Sequence, residues 1–313
     1  MLGKRTKRTL IFAASIAVTC QALAHATHTS TQQAIDVSKQ MADTFFNKAF
    51  NSTNKPDWAT RTDVTYDIQT KHVPITGVET IQPLFETNLH TLFWQGRASY
   101  LSGTGTGNLG LGYRYLRDDK QLMWGINTFY DQTFHYGHQR VGLGGELFTP
   151  FVTARANYYD AVSGKKRVGT VGNITDYERA LSGVDAGIET PMPYASWMRF
   201  TALGYHWNGK TKSDINGGSL GFRAFPARQL EIDGGVAYDN DKHTQAFLKL
   251  NYYLGSAAFI ENSATTPHDH STFAAQNLEN MRLQKVIRNN NVVVEKSSAI
   301  TPVAPGINIG RGN

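Results

Sequence analysis

Residues 121–148, QLMWGINTFYDQTFHYGHQRVGLGGELF, read as two strands joined by a short polar loop. In the first strand Leu122, Trp124, Ile126, Thr128 and Tyr130 share one side while Gly125, Asn127, Phe129 and Asp131 share the other, because successive strand side chains point to opposite faces. In the second, Val141, Leu143 and Leu147 oppose Arg140, Gly142, Gly144 and Glu146. One face is apolar and the other mostly polar. A half-buried soluble hairpin carries the same pattern, so the choice between a water-facing side and a polar pore falls to the rest of the chain.

The alternation recurs over residues 61–255. Segments at 62–69, 76–86, 91–101, 107–116, 121–131, 138–148, 151–160, 183–190, 197–207, 217–225, 229–239 and 243–254 make about twelve strands, an even number that suits a bacterial outer-membrane barrel. Val184, Ala186 and Ile188 oppose Asp185, Gly187 and Glu189; Ala246, Leu248, Leu250, Tyr252 and Leu254 oppose Gln245, Lys249 and Asn251. The second and ninth segments alternate poorly. Tight connections (LRDDK, FTPF, TPMPYAS, FPARQ) take turns with longer polar ones: SGTGTG, DQTFHYGHQ, DAVSGKKRVGTVGNITDYERALSG, NGKTKSDING and DNDKH. Short turns at one rim and long loops at the other is the asymmetry of an outer-membrane barrel. Aromatics at segment ends (Trp94, Tyr100, Tyr115, Trp124, Tyr130, Phe148, Phe151, Trp197, Trp207, Tyr238, Tyr252 and Tyr253) are expected to form the two interfacial girdles.

Composition agrees with this reading. Only 18% of residues are charged and 40% are hydrophobic. Lys4, Arg5, Lys7 and Arg8 precede an apolar run and a small-residue site at Ala22-Leu23-Ala24, so residues 1–24 read as a secretory signal peptide. Its removal takes four cations and no acid, leaving +2 of the formal +6, which gives little support to nucleic-acid binding. Cys20 lies inside that peptide, so the mature chain is expected to form no disulfide or thiolate metal site. Beyond the signal no run of 18 or more apolar residues offers a membrane helix; a membrane role requires a barrel.

The flanks differ. Residues 25–60 read as a periplasmic leader with a short amphipathic helix at Ile35, Met41, Phe45, Phe46, Ala49 and Phe50. Residues 256–296 form a linker in which STFAAQNLENMRLQKV (271–286) could be helical and RNNNVVVEK (288–296) is extended. Residues 297–313 are a short tail.

GINTFYDQTF (125–134) followed by RVGLGGE (140–146) resembles the barrel domain of intimin and invasin, the inverse autotransporters. DYERALSGVDAGIE (176–189) is similar to a later strand of that family, and RNNNVVVEK to the linker after its barrel. The resemblance implies an all-β fold: a transmembrane antiparallel β-barrel of about twelve strands with a pore-threading C-terminal linker and a periplasmic N-terminus. It further implies barrel-assembly machinery and periplasmic chaperones as partners, beside outer-membrane lipid. The chain departs from the pattern at both ends. No peptidoglycan-binding module is seen before the barrel, and the 297–313 tail is too short for the adhesive domains to which the family's linker leads.

The alternation, continued strand by strand, turns Arg97, Arg114, Asp131, Arg140, Glu146, Arg155, Asp185, Glu189, Arg223, Glu231, Asp233 and Lys249 inward as a pore lining of mixed sign. Such charges pair within a filled pore and with a threaded linker, for which Arg288, Asn289, Asn290, Asn291 and Glu295 are the candidates. Packing and solvation of the lumen is their expected role, rather than catalysis. His268-Asp269-His270 has no further ligand in view, His135 and His138 read as exposed loop residues, and neither a hydrolase triad nor a phosphate loop is spaced recognisably. No metal, cofactor, nucleic acid or enzymatic activity is expected, and no host-cell ligand can be assigned. The expected function is a translocator barrel that anchors and displays a C-terminal segment, its passenger vestigial or missing. The alternative is a simple pore or structural barrel plugged by its own linker; an outer-membrane enzyme is third.

Overall fold

The computed structural model describes residues 58–70, 74–101, 103–227, 229–254 and 275–300. The signal peptide, Cys20, the amphipathic patch at Ile35 to Phe50 and His268-Asp269-His270 lie outside them. A 3-10 turn at Ala59–Arg61 leads into β1 (Thr62–Gln69), where Thr62 Oγ1 donates to the Trp58 carbonyl at 2.8 Å. There follow β2 (Ile75–Glu86), β3 (His90–Leu101), β4 (Thr104–Leu116), β5 (Met123–Thr133), β6 (Gln139–Phe148), β7 (Thr153–Ala161), β8 (Lys166–Val171), β9 (Ile174–Ala180), β10 (Gly183–Met192), β11 (Ala195–Trp207), β12 (Ile215–Ala227), β13 (Leu230–Asp239), β14 (His243–Tyr253) and β15 (Val294–Ile300).

Twelve strands close into one antiparallel barrel in which chain neighbours pair, except that β7 pairs with β10 and β1 meets β14. Closure satisfies every wall strand on both edges, which a sheet in hydrocarbon requires. The wall is inside-out relative to a water-soluble protein. On β5 and β6 Ile126 and Leu143 are each 58% exposed, whereas Asp131 and Arg140 are wholly buried. Leu109, Leu111, Val184, Leu220 and Val236 continue the exposed apolar band on other strands. Such a surface is stable only against lipid, and the charges are stable only where they face one another inside.

The two poorly alternating segments carry irregularities. The β2/β3 register shifts between Pro83 and Phe85, where proline cannot donate to the ladder, and the β10/β11 register shifts between Pro191 and Met192, at the start of β11.

Several expectations need correction. SGTGTG is mostly strand: β3 runs to Leu101 and β4 starts at Thr104. The long 160–183 connection holds a hairpin, β8 and β9, whose turn puts Gly172 at φ 60°. With β15 this hairpin forms a second, three-stranded sheet. The expected helix over 271–286 is absent from its described part, where turns occupy residues 278–283. There Met281, Arg282 and Gln284 donate to carbonyls three residues back, and those of Met281, Arg282 and Gln284 accept from Arg114 Nη1, so no helical ladder forms. β15, Val294–Ile300, crosses the expected boundary between linker and tail at residue 296. Of the expected girdle, Tyr100, Trp124, Tyr130, Phe151, Trp197, Tyr238 and Tyr252 are exposed. Trp94 is buried, and Phe148, Trp207 and Tyr253 turn inward to pack or hydrogen-bond.

Candidate functional site: the barrel interior and residues 275–300

Register builds the interior. Asn108 lies beside Asp131 across β4 and β5, and Asp131 beside Arg140 across β5 and β6, so three polar side chains on consecutive strands face the same point. Asn108 Nδ2 donates to Asp131 Oδ1 at 2.7 Å and Arg140 Nε to Oδ2 at 2.9 Å. Arg288 completes the socket: Nη1 donates to Oδ1 at 2.8 Å and Nη2 to Oδ2 at 2.7 Å. Its guanidinium lies 4.3 Å from the Phe129 ring centroid, and Gly142 leaves the space, since a Cβ there would come within 3.0 Å of Arg288 Nη2.

The neighbouring linker residues use backbone as much as side chain. The Asn289 carbonyl accepts from Arg140 Nη2 at 2.6 Å and its N–H donates to Tyr159 Oη at 2.8 Å. The Asn290 carbonyl accepts from Asn108 Nδ2 at 2.8 Å. Asn291 donates its N–H to Asn289 Oδ1, bracing the bend. Asp185 accepts from Tyr159 Oη at 2.6 Å and from Asn157 Nδ2 at 2.7 Å.

A second set of charges lies across β10 to β14. Glu189 accepts from Arg199 Nη1 at 2.8 Å and Arg223 Nη1 at 2.7 Å, while Arg223 Nε also reaches Asp233 at 2.7 Å and Glu231 at 3.3 Å. Lys249 is the register partner of both Asp233 and Asp67. Arg114 pairs with Glu146 at 2.9 Å and sends Nη1 to the Gln284 carbonyl at 2.6 Å. Arg155, half-buried, is the register partner of Glu146; Arg97, buried, is that of Glu79. Buried ion pairs of this kind return little net stability after desolvation, so their value lies in fixing what they hold.

Sequence reasoning missed several partners. Asp63, which pairs with Lys285, alternates legibly in TDVTYDIQ, but Glu79 and Arg199 sit in the two irregular strands. Arg282, Gln284 and Lys285 were hidden in the expected helix. Apolar contacts join too: Leu278 and Met281 pack with Leu116, Met123 and Phe148, and Val286 with Ile81, Phe93 and Phe129. Each such side chain contributes about 1.5–3 kcal/mol.

Glu295 stands apart from the inward-facing set. On β15, at the rim of the longer loops, it accepts from the backbone N–H groups of Lys210 (3.2 Å), Thr211 (3.0 Å) and Lys212. Burial raises its carboxyl, but these donors outweigh burial and hold it below the ordinary carboxylate range. His138 is buried rather than exposed, with Nε2 3.3 Å from Glu178. Among the described residues, no group of three or more His, Cys, Asp or Glu side chains is arranged to hold a metal ion.

The family model for the β-domain of inverse autotransporters matches residues 13–290. The chain is 31% identical over 118 residues to an attaching and effacing protein homolog of Escherichia coli K12, covering 37% of this chain and 39% of that protein. It is 25% identical over 238 residues to an intimin of Escherichia coli O111:H-, covering 70% of this chain and 24% of that protein. It therefore spans well under half the length of both relatives. A solved structure from work on in-meso crystallisation of membrane proteins superposes with a TM-score of 0.62 at 18% identity, covering 76% of this chain and 100% of that one, a likeness of fold.

Proposed function

Since the chain belongs to the inverse autotransporter β-domain family and forms an outer-membrane translocator barrel, we propose that its C-terminal segment runs through its own pore and is displayed at the cell surface. The order of contacts along that segment supports this reading. Gln276 N–H donates to the Pro150 carbonyl and Glu279 pairs with Lys120, both in connections of the short-turn rim. Next come Arg114 and Gln95 partway along the wall, then Asp131 and Arg140, and finally the 208–214 loop and β9 at the opposite rim. On this reading the short-turn rim and Trp58 are periplasmic and the longer loops face the medium. Assembly through the barrel-assembly machinery and periplasmic chaperones belongs to the same proposal.

An epitope fused after Asn313 tests it on intact cells. Antibody binding without permeabilisation is the expected result, and binding only after permeabilisation overturns it in favour of a barrel plugged by its own linker. Truncation after Leu254 should raise single-channel conductance in planar bilayers clearly above that of the full chain, because a barrel of this size is too wide for its wall side chains to fill.

A further inference from the structure

The β7–β10 connection does more than close a loop. Its hairpin leaves the rim at β8 and returns at Ala180, three residues before β10 enters the wall. β15 lies antiparallel against β9 in unbroken register from Val294↔Ala180, near the rim, to Ile300↔Ile174, beside the Gly172 turn. The pairing begins one step earlier, where Leu181 N–H donates to the Val293 carbonyl at 2.9 Å. Side chains fasten the same pair of strands: Ser298 Oγ donates to Asp176 Oδ1 at 2.6 Å, and Lys296 Nζ lies 3.2 Å from Glu178. The three N–H groups of residues 210–212 grip Glu295 from a different loop, an anion nest built from backbone.

We infer that the β8–β9 hairpin is a strand acceptor that takes the emerging segment as its third strand and clamps it against tension. This rests on the display reading. An extended peptide of any sequence offers the donors and acceptors that such an edge recognises, while the carboxylate at Glu295 fixes the register. The geometry sets the load path. β9 is fastened to the barrel at its Ala180 end, whereas β15 leaves the sheet at its Ile300 end. A pull on the chain beyond Ile300, away from the barrel, therefore draws β15 lengthwise along β9. The whole ladder is loaded together instead of opening one pair at a time, so force reaches the Arg288 socket only after the ladder fails.

The test is single-molecule pulling on the full chain in lipid nanodiscs, with the handle fused after Asn313. The expected trace has one rupture ahead of the release of residues 278–290. Ser297→Pro, which removes a strand donor outside the barrel wall, should lower that rupture force roughly two-fold or more. Glu295→Gln should lower it less. Asp176→Cys with Ser298→Cys, joining side chains already in contact, should abolish the rupture until a reductant is added. Heat-modifiable migration verifies that each barrel is folded. Unchanged rupture force in both Ser297→Pro and Glu295→Gln, with the epitope accessible on intact cells, overturns the clamp and leaves display standing. An epitope inaccessible on cells carrying the unaltered sequence overturns display itself, whatever the force traces show.

Discussion

Arg288 and Asp131 are 157 residues apart in sequence and meet through two parallel hydrogen bonds, Nη1 to Oδ1 at 2.8 Å and Nη2 to Oδ2 at 2.7 Å. Asp131 also receives Arg140 and Asn108, so one carboxylate ties three wall strands to the linker. A planar two-point contact fixes orientation as well as position, which a lysine could not do.

Replacing Arg288 by Met should loosen the segment. Losing one partner of a buried pair costs roughly 3–5 kcal/mol, and Asp131 keeps two other donors, so the lower end is expected. Open events should become more frequent in planar bilayers than with the unaltered chain; traces that cannot be told apart would show that the socket does not hold the plug.

Leu143 lies midway along β6 and faces out. Leu143→Arg should destabilise the barrel by about 2–4 kcal/mol, whereas Leu143→Phe should change little. Urea midpoints of protein folded into vesicles measure both.

Gly112 is required for packing rather than for a special backbone angle. A Cβ there would lie 2.2 Å from the Phe93 ring, which is fully buried. Gly112→Ala should cost about 1–3 kcal/mol through overpacking. Gly145→Ala, with no atom within 4 Å of the added carbon, should be nearly neutral in the same urea assay.

His138 gives a pH dependence at the loop rim. Burial holds its imidazole below the ordinary 6.5, against the opposing pull of Glu178, while Lys166 adds to the lowering. The freed loop then binds the proton more readily than the docked one. Docking is fully stable above the unfolded value and weakens as pH falls below it. Amide protection factors in residues 134–138 and in β9, corrected for the base catalysis of intrinsic exchange, should fall between about pH 7.5 and about 5.5, and His138→Gln should flatten the response. Equal protection factors at both pH values in the unaltered protein would refute the coupling.

The wall was legible in the sequence because a strand's two faces are written into a period of two. Residues 121–148 alone separate Ile126 and Leu143 from Asp131 and Arg140, and lipid outside with charge inside keeps that separation strict. The period fails where proline shifts the register, so β2, irregular near its end, and β11, irregular at its start, were the strands hardest to read. Only tertiary structure could decide what residues 278–300 do. LENMRLQKV carries apolar spacing compatible with a helix, yet its backbone carbonyls meet Arg114 and take another path. VEKSSAI has no alternation of its own and becomes a strand because β9 offers an unpaired edge. Glu295, written beside the asparagines of the same run, is drawn to three loop amides that no local pattern announces. A wall strand is specified by neighbours two residues away, whereas a segment held by the interior and the rim is specified by partners more than 80 residues distant.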